Sequence, residues 1–146
     1  MTILKDIQNA IIAVLKAGTT HALVVDANIF YGTNLSRSYP IIFVTWKGGP
    51  IKTVTYGQQK WIQDFHIIAI DAAASGDLPE QSVQDIAEAV IVDLKANPSL
   101  NGKVHDCEVV AVEGDSVTVG TEWGKTNQVL AGSKVTLRTT LLLQNR

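Results

Sequence analysis

Apolar residues in the first eighteen positions recur at helical spacing. Ile3, Ile7, Ile11 and Val14 fall on one stripe, Leu4 and Leu15 widen it, and Lys5, Asn9 and Lys16 lie opposite. Thr2 can cap the start of this helix and Gly18 can end it. Burying its apolar stripe is worth on the order of 10 kcal/mol before entropy is subtracted. Alone, such a helix is marginal, so it needs a sheet to lie on.

A second helix is predicted from Asp77 to Ala96. Val83, Ile86, Ala87, Val90, Ile91 and Leu94 step by three and one, and Asp77, Pro79 and Glu80 form a capped first turn. Asn97-Pro98 stops it. Val92 faces away from the main stripe, among Gln81, Asp85, Glu88 and Lys95. It reads either as a tolerated surface valine or as a contact with a neighbouring subunit.

The remaining apolar runs read as strands. Ala22 to Ile29 forms the first, and Phe30 to Tyr39 follows as a polar loop. Pro40 opens a strand from Ile41 to Trp46, Lys47-Gly48-Gly49-Pro50 turns, and Ile51 to Tyr56 returns as its hairpin partner. Gly57 to Lys60 makes another turn. In the strand from Trp61 to Ile70, Trp61, Gln63, Phe65 and Ile67 share one face, with Asp64 and His66 on the other. Its end, Ile67 to Ile70, is apolar on both faces, which predicts a central strand with at least one half covered on both sides. Val104 to Val112 and Ser116 to Trp123 flank Glu113-Gly114-Asp115, a hairpin signal. Gly124 to Ser133 reads as a projecting polar arm, and Lys134 to Leu143 as the last strand.

At 146 residues the chain is expected to form a single domain spanning 1–146, with enough length for a real core. Hydrophobic content of 46% and charged content of 18% argue against global disorder. Net charge is −2 with no basic block, which disfavours a dedicated nucleic-acid binder. The lone Cys107 excludes an internal disulfide and fits a reducing compartment. Asp6, Gln8 and Asn9 break the opening apolar run, so no signal peptide is expected, and no stretch is long enough for a membrane span.

Catalytic signatures were sought and none is complete. Gly120-Thr121-Glu122-Trp123-Gly124-Lys125-Thr126 has three residues between its glycines where a phosphate-binding loop needs four, and no helix follows. Asp64 and His66 could meet a third metal ligand from His105 or Asp106, but a solvated or hydrogen-bonded face is the commoner explanation for such a pair. Cys107 reads as a small packed residue, no serine sits in a nucleophile elbow, and nothing fixes the separation of Asp26, Asp64 and Asp71. Catalysis therefore has no positive support, and no metal or cofactor is expected. Aromatic residues at strand ends serve as core lids or as interface anchors. Tyr31, Arg37 and Tyr39 in the early loop, Trp46 before its turn, and Trp123, Lys125 and Gln128 on the arm are, with Val92, the candidate contact residues.

This order of segments resembles the tail-terminator and tail-completion proteins of tailed bacteriophages. The resemblance lies in the opening helix leading to Pro40-Ile41-Ile42-Phe43-Val44, and in the strand Trp61 to Ile70 before a flexible acidic loop. It continues in the capped helix, Ser82 to Leu94, running into Leu100-Asn101-Gly102-Lys103-Val104, and in the closing meander with its arm. It implies an α+β fold, a mostly antiparallel twisted sheet with two helices packed on one face. It also implies a virion protein without cofactor or membrane. Copies would form a ring, commonly a hexamer, contacting the tail tube protein and a neck or head-completion protein, with DNA passing through the lumen. The residues alone leave open a neck, connector or tube subunit, and a small α+β enzyme or ligand-binding domain.

Overall fold

The computed structural model describes residues 3–24, 26–31, 40–55, 57–72, 79–119 and 128–144. The fold is α+β. Helix α1 runs from Ile3 to Ala17 and α2 from Pro79 to Lys95. The strands are β1 (Ile29–Tyr31), β2 (Ile41–Gly48), β3 (Ile51–Thr55), β4 (Gln58–Ala72), β5 (Asp106–Val119) and β6 (Gln128–Gln144). They lie in the order β1-β2-β4-β6-β5, with β3 also paired to β4. The β1–β2 pair is parallel and the other pairs are antiparallel.

Both helices pack on one face of the sheet. Ile7, Ile11 and Leu15 of α1 and Ile86, Val90 and Leu94 of α2 share a core with Val44, Phe65, Ile67, Val135 and Leu137. The expected stripes are thus the buried ones, with Ile3 and Leu4 partly buried at the margin. β4 is central, flanked by β2 and β3 on one side and β6 on the other. Its apolar end is matched on the face opposite the helices, where Ile41 and Phe43 are buried and Phe30 stacks on Phe43 at 6.4 Å between ring centroids. Ile68 and Ile70 are half-buried there.

Several elements differ from the sequence expectation, each for a local reason. Ala22 to Ile29 is not a strand: two short 3-10 turns, Thr19–Ala22 and Asp26–Asn28, precede β1. The Leu23 and Val24 amides both donate to the Thr20 carbonyl, each at 3.0 Å, which leaves them unavailable to a ladder. β1 in turn takes Phe30 and Tyr31 from the expected loop. β3 does not fold back on β2. Gly48-Gly49-Pro50 is a break in one line of chain, so β2 pairs with residues 64–70 of β4 and β3 with residues 58–61. A Cβ on Gly49 would collide with the Ile62 carbonyl, and Ile62 donates its amide to the Pro50 carbonyl at 3.0 Å. Gly57, at φ 84°, makes the turn, and Gln58 already belongs to β4.

Glu113-Gly114-Asp115 is not a turn either. β5 runs straight through it, opposite Lys134, Ser133 and Gly132 of β6. A long partner strand and the Glu113–Lys134 ion pair, at 3.4 Å, outweigh the local turn preference. The expected polar arm accordingly shortens, because residues 128–133 are already in β6. The Asp77 cap lies outside the described residues.

Candidate interaction surfaces

The turn between β2 and β3 builds the first surface. Gln63, buried in β4, accepts a hydrogen bond from Trp46 Nε1 at 2.9 Å and donates from Nε2 to the Gly49 carbonyl at 2.9 Å. One amide side chain thus fixes both the indole and the turn. Trp46 is nonetheless 51% exposed. A large aromatic group that is both held and solvent-facing has little entropy left to lose when it is covered. Beside it, all five residues of β3 are exposed, including Ile51 at 52% and Val54 at 51%. Lys52 stands directly opposite Lys60, and Lys47 lies nearby at the end of β2. None of the three lysines forms an ion pair among the described residues. Among the described residues β3 pairs only with β4, and none of them covers its outer edge.

A second surface lies at the other side of the sheet. Between α2 and the β5–β6 pair runs a groove of about 580 Å³. Val83, Ala87, Ile91 and Val112 give it an apolar lining, and Glu80 and Glu88 stand at its helical wall. Val112 is half-exposed there, and Val92 is 55% exposed on α2. Among the described residues β5 pairs only with β6, and no described strand lies on its outer edge.

On the face opposite the helices, Arg138 grips Asp64 with two hydrogen bonds, Nε to Oδ1 at 3.0 Å and an Nη to Oδ2 at 3.2 Å. That fork raises the guanidinium pKa further. His66 lies on the same face; burial, then Lys134 and Lys47, lower its pKa, against weaker opposing effects from Glu113 and Asp64. The Asp64 carboxylate is therefore engaged by an arginine, and His105 lies beside Thr140, whose carbonyl accepts its amide at 2.9 Å. Among the described residues no group of three His, Cys, Asp or Glu side chains is placed to hold a metal ion. Burial, then Asp106, pushes the Cys107 thiol up to about 11, and its Sγ donates weakly to the Asn97 carbonyl at 3.9 Å. It is a packed thiol at neutral pH. Among the described residues no helix is long and apolar enough to cross a membrane.

The candidate contact residues do not converge on one site. Trp46 belongs to the first surface and Val92 to α2 beside the second. Tyr31 ends β1 instead of lying in a loop, and Gln128 opens β6 opposite Val119 instead of lying in an arm. Arg37, Tyr39, Trp123 and Lys125 lie outside the described residues. The sequence reading missed Gln63, which alternation placed on the core face without a partner. It also missed Ile51 and Val54, which an inner hairpin strand would have half-covered.

The geometry defines an α+β sheet protein with two separate surfaces that the described residues leave uncovered. Compared with known proteins, the sequence matches no protein-family model and no curated protein sequence. Its fold is similar to that of a chain solved in the virion of a native gene transfer agent particle. That match covers 93% of this chain and 94% of the other, with a TM-score of 0.51 and 14% identity.

Proposed function

We propose that this chain is a structural subunit of a phage-like virion, and more particularly a tail terminator. In this reading, copies form a sixfold ring at the head-proximal end of a tail tube. The ring stops tube polymerisation and offers its other face to a neck or head-completion protein. The observation that carries the reading is the fold shared, over nearly the whole of both chains, with a component of a gene transfer agent virion. Two strand edges unpaired among the described residues, a held but exposed Trp46 and an apolar groove supply surfaces for such assembly. A net charge of −2 without a basic block suits a lumen that DNA traverses without being retained. The ring would assemble in the host cytoplasm and remain in the virion tail.

Gene deletion tests the role. Over-long tails are expected for a terminator. Normal-length tails without heads would point to a connector, and missing tubes to the tube subunit. Negative-stain images of the purified chain should contain rings. A strictly monomeric chain that also fails to bind tail tubes would overturn the reading.

A further inference from the structure

We propose that the basic edge around β3 of one copy seats on the acidic groove of the next, head to tail. The inference rests on the ring reading and names the two patches that would close it.

Lys52 and Lys60 face each other across β3 and β4, and Lys47 lies further along the same side of the sheet at the end of β2, all without an ion pair among the described residues. Glu80 and Glu88 stand on α2 at the β5 side, and they too form no ion pair among the described residues. A molecule of net charge −2 thus carries a cationic corner and an anionic groove on opposite sides of one sheet. Each has apolar surface beside it: Trp46 and Ile51 on the helix face of the same edge, with Val54, at the first, and Ile91 and Val112 at the second. Each also adjoins a strand edge unpaired among the described residues.

Charge then decides the symmetry. A two-fold contact of either patch with itself would set lysine against lysine or glutamate against glutamate. A head-to-tail contact sets lysine against glutamate and leaves both patches filled in every copy. Such a contact either closes into a ring or propagates as a filament, and only the heterologous arrangement can do so. A second copy of this chain is therefore the occupant that matches both patches at once.

Charge reversal tests this directly. Lys52→Glu and Glu88→Lys are made singly and together in one chain, and melting curves confirm that each variant folds like the wild type. Assembly is followed by native mass spectrometry and sedimentation velocity, or by co-sedimentation with tail tubes if the ring forms only there. Each single variant should raise the concentration for half-assembly on the order of tenfold. The double variant should restore assembly, because its reversed edge meets the reversed groove of its neighbour. Wild-type rings that are indifferent to the single reversals, or a double variant no better than the singles, would overturn the inference and leave the tail-terminator reading standing. A wild-type chain that neither self-associates nor binds tubes would overturn both.

Discussion

Asp93 sits on the last turns of α2 with its carboxylate turned into the protein, 5% exposed. It accepts four hydrogen bonds: the Thr19 amide at 2.7 Å and hydroxyl at 2.7 Å, the Thr20 amide at 2.8 Å and hydroxyl at 2.6 Å. These amides begin the 3-10 turn after α1, so one side chain of the second helix fixes how the chain leaves the first. Gly18 is part of the same lock, because a Cβ there would strike the Asp93 carboxylate. Burial alone would raise the Asp93 pKa, but the bonds from Thr20 and Thr19 prevail and hold it below the ordinary 3.8. A carboxyl depressed in this way stabilises the fold above the ordinary carboxylate range. That contribution is lost as pH falls through the depressed value, below about pH 4. Asp93→Asn would turn an NH2 toward one pair of donors and should cost roughly 3 kcal/mol at neutral pH. Urea unfolding should find a smaller difference from wild type as pH is lowered through and below the depressed value, where the native carboxyl is itself protonated. An equal difference at both ends would mean that the charge is not what holds the turn. Helical spacing sets Asp93 beside Ile86 at the edge of the buried stripe and Asp85 on the polar face, but it does not show what Asp93 meets there. Only the fold brings Thr19 and Thr20, 74 and 73 residues away, to it.

At the scale of elements, the break between β2 and β3 decides how the first surface is presented. Gly48 has φ 106°, a left-handed conformation that side chains other than glycine rarely adopt. Gly49 is needed for a different reason: its missing Cβ lets the chain lie against the Ile62 carbonyl and the Gln63 backbone. Gly49→Ala should therefore push the turn outward and weaken both the Pro50–Ile62 bond and the Gln63 hold on Trp46. The expected cost is about 1–3 kcal/mol by thermal or urea unfolding, with a red shift of tryptophan fluorescence as Trp46 is released. Gly114→Ala is the matched control, because nothing lies within 4 Å of the added carbon, and it should fall within about 0.5 kcal/mol of wild type. If the two variants melted together, close approach would not be what Gly49 provides. The same two glycines explain which elements were legible. Both helices, β2 and the buried run of β4 announced themselves by periodicity, because each buries one stripe or one run against the core. Gly48-Gly49-Pro50 and Glu113-Gly114-Asp115 look alike as local turn signals, yet one breaks a strand without reversing it and the other lies inside one. Whether glycine turns a chain depends on what the opposite strand offers, and β4 and β6 are long enough to impose their own register. The contact surfaces were legible only at Trp46 and Val92, since exposure of Ile51 and Val54 follows from β3 standing at an edge.

For the whole molecule, pairing and burial concentrate in the middle of the sheet and thin out toward the two proposed contact surfaces. β4 between residues 64 and 70 is paired on both sides, as is β6 between residues 130 and 140. Phe65, Ile67, Val135 and Leu137 lie beneath the helices at 1% exposure or less. Among the described residues, β3 has five exposed residues and one neighbouring strand, and β5 has one neighbouring strand along its length. Stability distributed in this way should appear in native-state hydrogen exchange. Amides of Phe65, Ile67, Val135 and Leu137 should exchange only through global opening, while those in β3 open locally and exchange at least about a hundredfold faster. Assembly adds a further expectation, because covering an edge removes its local opening. Protection should rise in β3 and in the outward-facing amides of β5 when copies associate, and stay unchanged in the centre of β4. Uniform protection across the sheet in the free chain would mean that the edges are as firmly held as the core. An assembly partner would then have no labile strand edge to stabilise, and the division between a rigid centre and adhesive margins would not describe this molecule.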